Sequence, residues 1–272
     1  MGGKSREPSG RGVMETIRLE RDGDVLVCTI DRPGSDFNAI DAQLHDDLGD
    51  LMRLLKRERS ARAILLTGSK KAFTAGGDRS WFRELTSIER LDALRRDAKQ
   101  LIWDLLDVEQ PIVAALNGPA VGLGASIALL CDVVVMADHA TIADPHVRVG
   151  IVAGDGGAAI WPLLVGPLAA KRYLLTGDAV SAADALAMGV AAQVTTPDHL
   201  MPAAMSWARR LADGAPLAIR ATKLAVNQQV KLALLTSFDY STAAEIATFL
   251  SVDHAEALDA MAERRPPRFE GK

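Results

Sequence analysis

The chain has 272 residues, of which 49% are hydrophobic and 24% charged, and its formal net charge is −4. This length suits one large domain or one domain with an appendage, and the balance of residue types is that of an ordinary globular protein. The weakly acidic charge, without a basic face, argues against a nucleic-acid partner, and the absence of an apolar run of membrane-spanning length argues against a membrane partner.

The amino-terminal segment and the two cysteines predict where the protein resides. Residues 1–12 are rich in glycine and serine and lack the apolar stretch of a signal peptide, so we expect a disordered tail there. Cys28 and Cys131 each fall within an apolar run, which predicts two buried thiols. Together these features predict a cytoplasmic protein.

The first part of the chain alternates between apolar runs and an amphipathic stretch. Residues 17–20 and 25–30 are predicted strands of a hairpin with an Asp-Gly turn. Asp41 is the predicted N-cap of a helix that reaches about Glu58. A strand at residues 63–67 then leads into a first glycine-rich loop, Lys70–Asp78.

A second glycine-rich loop, Asn117–Ser126, follows about forty residues later. It is preceded by an amphipathic helix predicted at 90–106 and a strand at 111–116. It opens into a short helix at 125–130, and an apolar strand at 133–136 comes next. Strands that alternate with helices in this way predict an α/β layer arrangement.

The two glycine-rich loops have a chemical implication. Each joins the end of a buried strand to a turn, and the second also opens a helix, so backbone N–H groups are left without partners. Such groups can stabilise a developing negative oxygen. The sequence therefore predicts an oxyanion hole built from main chain, which polarises a carbonyl but does not fix the reaction that follows.

The carboxyl-terminal part of the chain is predicted to be helical. Gly189, Gly214 and Pro216 are the predicted breaks between its alanine-rich stretches. We therefore divide the chain into an α/β core at residues 13–200 and a helical region at residues 201–272. The predicted helices are 181–188, 198–213, 216–235 and 239–250.

The motifs of the chain resemble, in the same order, those of the crotonase (enoyl-CoA hydratase/isomerase) superfamily. The matching segments are 66–68, 71–78, 117–124, 131–134, 174–177, 182–191, and 254–256 with 263–267. The resemblance implies an α/β fold, a spiral of ββα turns with a helical C-terminal trimerisation region. It further implies a homotrimer or dimer of trimers. Coenzyme A would enter as part of the substrate, with no tightly bound cofactor.

The resemblance also implies roles for individual residues. The backbone N–H groups of Gly77 and Leu123 would form the oxyanion hole, and the helix near Phe249 would close a neighbour's pocket. Arg79 or Arg83 could meet a phosphate of coenzyme A. The residues expected to contact the substrate or coenzyme A are Lys71, Ala72, Phe73, Ala75, Gly76, Asp78, Trp81, Phe82, Gly122, Ser126 and Phe249.

Two positions depart from the pattern of the hydratases in this superfamily, which carry a glutamate at each. Here those positions hold Ser126 and His146. Two carboxylates can hold a water and move its protons, whereas serine with histidine cannot do the same, so the substitution argues against simple hydration of an enoyl-CoA. We interpret Ser126 as a helix N-cap, and His146 and Asp155 as the catalytic pair, with Asp155 fixing the histidine tautomer.

The segment from His146 to Asp155 is similar to that of the β-diketone hydrolases, which cleave a carbon–carbon bond. His45 and Glu245 also fall at positions of that subgroup, as further candidates for the site, but Leu123 replaces a histidine. Three functions therefore stay open: an acyl-CoA lyase or isomerase, a hydrolase of a cyclic diketone that does not use coenzyme A, and a non-catalytic CoA-binding oligomer. The spacing of the histidines does not predict a metal site, and we expect His139, His199 and His254 to be exposed.

Overall fold

A six-stranded sheet runs through the core of the computed structural model, which describes residues 14–272; the tail predicted at residues 1–12 lies outside the described residues. The strand order is β1-β2-β3-β4-β6-β9, and only the β1–β2 pair, the predicted hairpin, is antiparallel. The strands are β1 (Ile17–Asp22), β2 (Val25–Ile30), β3 (Ala63–Gly68), β4 (Ile112–Leu116), β6 (Val133–Ala137) and β9 (Gln193–Thr195).

A second, three-stranded sheet carries the second glycine-rich loop. It consists of β5 (Ala120–Val121), β7 (Thr141–Ala143) and β8 (Val180–Ser181), in the order β5-β7-β8. A bridge between Thr74 and Ala120 joins the first glycine-rich loop to it. Twice along the chain a strand of the large sheet is followed by a strand of the small one and then by a helical segment, first at β4 and β5 and then at β6 and β7, which confirms the expected ββα turns.

Nine helices surround the two sheets within residues 14–272. The side chain of Asp41 accepts a hydrogen bond from the Leu44 N–H at 2.9 Å and so caps α1 as predicted. A short 3₁₀ turn at His146–Val149 leads away from β7. The helices are α1 (Ala42–Leu55), α2 (Arg79–Glu84), α3 (Ile88–Leu106), α4 (Leu123–Leu129), α5 (Gly157–Thr176), α6 (Ala182–Ala187), α7 (Pro197–Ala212), α8 (Pro216–Phe249) and α9 (Val252–Glu263).

The long helix α8 differs from the prediction of two helices at 216–235 and 239–250. It runs unbroken for 34 residues, because residues 236–238 include neither glycine nor proline and Leu234 and Phe238 are both buried on one face. In α5, by contrast, Gly166 has a left-handed φ of 77° and breaks the helix between Pro162 and Pro167. The division of the chain at residue 200 stays a prediction.

The two cysteines differ in how deeply they are buried. Cys28 is fully buried in β2, and this burial raises the pKa of its thiol to about 12. Cys131 is only half-buried, less than predicted, and both cysteines are free thiols. None of the helices within residues 14–272 combines the length and the apolar composition needed to cross a bilayer.

Candidate active site

The two glycine-rich loops lie side by side, joined by backbone hydrogen bonds. The N–H of Thr74 donates to Pro119 O at 3.1 Å, and the N–H of Val121 donates to Thr74 O at 3.0 Å. Gly76 has a left-handed φ of 79°, which favours glycine, and a Cβ atom there would lie 3.2 Å from Val121 Cγ1 of the second loop. The loops therefore form one wall.

In both loops, the backbone N–H predicted for the oxyanion hole makes no hydrogen bond to another of the described residues. The bridge between Ile40 and Gly77 uses the N–H groups of Ile40 and Asp78, which donate to Gly76 O and Ile40 O, and not the N–H of Gly77. Leu123 is the first residue of α4, so its N–H has no acceptor within the helix. Gly122, the N-cap, has a φ of 57°, a conformation that favours glycine.

A pocket of about 230 Å³ opens beside this wall. Part of its lining is apolar: Phe82 from α2 packs directly on Gly77, where a Cβ atom would come within 2.0 Å of its ring. Leu258 and Met261 of α9 also line the pocket, so the carboxyl-terminal helix covers the pocket of its own chain. The lining residues are Ala75, Gly76, Gly77, Arg79, Phe82, Val121, Gly122, Pro145, His146, Arg148, Val149, Leu258 and Met261.

His146 is the ionisable side chain at the inner end of the pocket, and it is only 9% exposed. Its Nδ1 is hydrogen-bonded to Oδ1 of Asp144. Its Nε2 faces two further carboxylates, Oδ2 of Asp155 at 3.5 Å and Oε1 of Glu245 at 3.8 Å. A Cβ atom at Gly122 would lie 3.3 Å from His146 Cε1, which places the imidazole directly beside the second loop.

The partner of Nδ1 corrects the sequence analysis, which assigned Asp155 to fix the histidine tautomer. Asp144 takes that position: it lies two residues earlier, directly after β7, and His146 opens the 3₁₀ turn that follows, which brings its Nδ1 back to the Asp144 carboxylate. The Asp-Pro-His spacing was the signal that could have identified it. Asp155 instead lies against the opposite ring nitrogen.

Ser126 also has a different place from the predicted one. It is the fourth residue of α4, whose N-cap is Gly122, so it does not cap the helix. Its hydroxyl donates to Oδ1 of Asp155 at 3.4 Å. A Cβ atom at Gly157 would come within 1.8 Å of Asp144 Oδ2, so the glycines after Asp155 let these groups approach one another.

The buried cluster shifts the pKa values of His146, Asp155 and Glu245. Burial lowers the pKa of His146, but the negative charges of Asp144 and Asp155 outweigh it and raise that pKa well above its usual value. Burial raises the pKa of Asp155 to about 6, although the charge of His146 opposes the shift. Burial raises the pKa of Glu245 to about 8, so this carboxyl group carries a proton at neutral pH.

The same cluster has a spacing that metal ligands also use, since one ligand atom from each of Asp144, His146 and Asp155 lies within 4.8 Å of the others. The imidazole stands between the two carboxylates, however, and its two N–H groups fit them as hydrogen-bond donors. The arrangement therefore has the form of an imidazolium held by acids. The expectation that no metal is used stays a prediction.

Several residues predicted near the site occupy other places. His45 is buried on α1 against Trp81, with 5.6 Å between the ring centroids, and neither residue lines the pocket. Ala72 and Phe73 are fully buried in the core, and Lys71 pairs with Asp36 at 2.9 Å on the surface. Their side chains therefore do not face the pocket.

Closure of a neighbour's pocket by the helix near Phe249 stays a prediction, but the Phe249 side chain itself packs within its own chain. It is 7% exposed and packs edge-on against Phe82 of its own chain, with 5.5 Å between the ring centroids. His254, expected to be exposed, is buried beside these rings, 4.9 Å from Phe249, and its Nδ1 donates to Val149 O at 2.7 Å. His139 and His199 are exposed as predicted.

Two residues tie the first loop and α2 to their surroundings. Asp78 caps α2, accepting from the Ser80 N–H at 2.9 Å, and also pairs with Arg32 at 2.7 Å, so it does not contact the pocket. Arg83 donates to Leu258 O at 2.8 Å and pairs with Asp259 at 3.0 Å, which fastens α2 to α9. The guanidinium of Arg83 is therefore already bound to α9, whereas Arg79 lines the pocket.

Comparison with known proteins places the chain among enzymes of one family. The family model described as enoyl-CoA hydratase/isomerase matches residues 20–272. A probable enoyl-CoA hydratase of Mycobacterium bovis is 31% identical, and the match covers 94% of this chain and 98% of the relative. A carnitinyl-CoA dehydratase of Salmonella arizonae is 32% identical over 94% of this chain and 99% of its own length.

Solved structures show the same fold. An enoyl-CoA hydratase/isomerase from Mycobacterium paratuberculosis superposes with a TM-score of 0.85 at 36% identity, covering 90% of this chain and 97% of that chain. A β-diketone hydrolase from Anabaena, bound to (S)-3-oxocyclohexyl acetic acid, superposes with a TM-score of 0.81 at 29% identity, covering 87% of this chain and 94% of that chain.

Proposed function

Since the chain belongs to the enoyl-CoA hydratase/isomerase family, we propose that it binds an acyl-CoA thioester and stabilises the enolate of the acyl group. The N–H groups of Gly77 and Leu123 hold the thioester oxygen. His146 and Asp155 exchange protons with the acyl group, and coenzyme A enters only as part of the substrate. Simple hydration is not the favoured reaction, because the two glutamates of the hydratases are replaced.

One observation carries this proposal: both loops and His146 border the same pocket. Gly77 lines it from the first loop and Gly122 from the second, and the imidazole lies against Gly122, the residue before Leu123. A carbonyl oxygen bound at these N–H groups therefore has its neighbouring carbon close to the ionisable cluster. Oxyanion stabilisation and proton transfer need this proximity.

The ionisation of the cluster supplies both an acid and a base. Above pH 6 Asp155 is mostly ionised and can accept a proton, the imidazolium of His146 can donate one, and Glu245 holds its own proton up to about pH 8. Removal of a proton from the carbon next to the thioester moves the electron pair of that C–H bond to the oxygen. Return of a proton to another carbon completes an isomerisation.

A direct test is the binding of acyl-CoA thioesters, measured by calorimetry with crotonyl-CoA and butyryl-CoA. We expect both to bind, and turnover of an unsaturated thioester to require His146. Failure to bind either thioester would contradict the proposal. Binding without turnover of any thioester in a broad panel would instead favour a non-catalytic oligomer that binds coenzyme A.

A second candidate function is hydrolysis of a cyclic β-diketone without coenzyme A. The observation that favours it is the position of Glu245, which α8 brings within 3.8 Å of His146 Nε2. A Cβ atom at Gly154 would come within 2.2 Å of Glu245 Oε2, so the loop before Asp155 is shaped around this side chain. Turnover of a cyclic diketone by protein that does not bind coenzyme A would select this function over the first.

A further inference from the structure

His254 joins α9 to the turn that carries His146. It is the third residue of α9 and only 4% exposed, and its Nδ1–H donates to Val149 O at 2.7 Å. Val149 is the last residue of the 3₁₀ turn that begins at His146, and the N–H of Ile151 closes this turn on His146 O at 3.1 Å. The hydrogen bond from His254 therefore ends three residues from the imidazole at the inner end of the pocket.

The backbone at the start of α9 also approaches this turn closely. A Cβ atom at Gly150, which ends the turn, would lie 3.0 Å from the backbone N of His254 and from the carbonyl of Asp253. A side chain there would push the start of α9 away, and the φ of 70° at this position also favours glycine. The two segments thus meet where the chain carries no side chain.

The ring of His254 lies in apolar surroundings. Phe249 of α8 and Phe82 of α2 pack edge-on against it, with 4.9 Å and 6.2 Å between the ring centroids. Because Val149 O can only accept, Nδ1 carries the hydrogen, and the buried Nε2 has no hydrogen-bond partner among residues 14–272. Burial lowers the pKa of His254, although the bond to Val149 O opposes the shift, so the imidazole is neutral at pH 7.

Three segments that line the pocket meet at this ring. Phe82 lines it from α2, Val149 from the 3₁₀ turn, and Leu258, one helical turn after His254, from α9. Of these contacts with His254, the bond to Val149 O is directional, whereas the contacts with the aromatic rings are not. Without the donor, the turn and α9 would be held together by packing of the rings alone.

We propose that His254 is a positioning residue for His146: its Nδ1–H holds the 3₁₀ turn against α9 and so keeps the His146 ring and the apolar residues of α9 in place at the pocket. His254 acts through the turn and not on the reacting atoms. The holding contact is independent of the reaction, and only its effect on the chemistry of His146 rests on the proposed function.

The test separates the hydrogen bond from the packing of the ring by two substitutions. In His254→Asn the amide nitrogen lies as many bonds from the backbone as Nδ1 and can donate to Val149 O, but the ring is lost. In His254→Phe a ring stays against Phe82 and Phe249, but the donor is lost. The exposed His139→Asn is the control for the loss of a histidine.

Two measurements follow the contact and its effect. Deuterium uptake by backbone amides, measured by mass spectrometry on peptides covering residues 146–151 and 252–263, needs no substrate. Exchange of the hydrogens next to the thioester in butyryl-CoA, measured by NMR, reports on His146. We expect His254→Phe to speed amide exchange in both peptides and to slow exchange in butyryl-CoA, each about 5- to 10-fold, as for one lost hydrogen bond. His254→Asn should stay within about 2-fold of the wild type, as should the control.

The two variants distinguish the hydrogen bond from simple packing. Function retained by His254→Phe and lost by His254→Asn, equal losses in both, wild-type behaviour of both, or faster amide exchange throughout His254→Phe would each overturn the inference. If His254→Phe does not fold, His254→Gln, whose amide nitrogen lies one bond further out, replaces it with the same expected losses. If the wild type does not exchange butyryl-CoA but the amide pattern is as expected, the proposed function fails and the holding contact is supported.

Discussion

At the scale of single residues, the site is a buried group of three carboxyls and one imidazole. Asp144 holds one ring nitrogen of His146, and Asp155 and Glu245 lie near the other. Burying so many acids with one cation is unfavourable unless at least one of them keeps its proton. Glu245, whose pKa is raised to about 8, is the one that does so at neutral pH.

The first prediction concerns the dependence of activity on pH. In the proposed reaction Asp155 acts in its ionised form and Glu245 in its protonated form, so kcat/KM should rise as pH increases through about 6 and fall as pH increases through about 8. The apparent pKa values of this pH profile describe the coupled cluster as a whole and not single residues. In Glu245→Gln, which has the same shape but cannot ionise, the alkaline limb should disappear. An alkaline limb that persists unchanged in this variant would contradict the assignment.

The sequence predicts some of these residues better than others, for physical reasons. His146 and Asp155 stand out because they lie in a glycine-rich segment where glutamate is replaced. The contact of Glu245 with this segment joins residues about ninety positions apart, which no local pattern encodes, and only the resemblance pointed to it. His45 lies on α1, as predicted, but its ring packs against Trp81, because tertiary packing decides where a side chain points.

At the scale of elements, the start of α4 presents the N–H that we propose as the second donor of the oxyanion hole. Gly122 caps the helix in a left-handed conformation, and Leu123 occupies the first helical position. Proline is well tolerated at that position of a helix, because the N–H that it lacks has no partner within the helix. The N–H of Leu123 can therefore be removed with little disturbance of α4.

The second prediction follows from this geometry. Leu123→Pro should lower kcat about 100- to 1,000-fold by removing one donor to the developing oxyanion. The matched control Leu123→Ala loses more of the side chain but retains the N–H, and it should keep most of the activity. Steady-state kinetics with an unsaturated acyl-CoA give both values, and circular dichroism verifies that both variants fold. Equal activity of the two variants would show that this N–H does not serve the reaction.

The sequence predicts those strands and helices whose pattern lies within a short stretch of chain. The strands follow short apolar runs, and Asp41 marks the start of α1. The continuity of α8 differs from the prediction because Thr236, Ser237 and Phe238 have only modest helix propensity, while the burial of Leu234 and Phe238, which favours one long helix, is a tertiary contact. The position of α9 over its own pocket depends on contacts between distant residues, among them Arg83 with Asp259 and Phe82 with Phe249.

At the scale of the whole molecule, α5 and α8 leave many large apolar side chains in contact with water. Single exposed apolar residues are ordinary, but a concentration on two neighbouring helices is typical of an interface between subunits. The exposed residues are Leu163, Leu164, Leu168 and Leu175 on α5, and Leu217, Val226, Leu232, Leu235 and Tyr240 on α8. These surfaces support the expected homotrimer or dimer of trimers.

The third prediction is therefore an assembly of three or six chains of 29.0 kDa in solution. Leu235→Glu places a charge on the α8 surface, where Leu235 is 69% exposed, and should shift the protein to smaller species because burying that charge in an interface is costly. Leu19→Glu, on the hairpin, is the control and should not. Analytical ultracentrifugation measures the masses; a monomeric wild type would contradict the expectation.

The central claim is that a carbonyl bound at Gly77 and Leu123 exchanges a proton on its neighbouring carbon with the His146 cluster. The most direct measurement is the exchange of those hydrogens in butyryl-CoA dissolved in D₂O, followed by NMR. We expect the wild type to catalyse the exchange and His146→Gln to slow it at least about 100-fold, with the exposed His139→Ala as the control. Binding of butyryl-CoA without exchange, or undiminished exchange by His146→Gln, would contradict the claim.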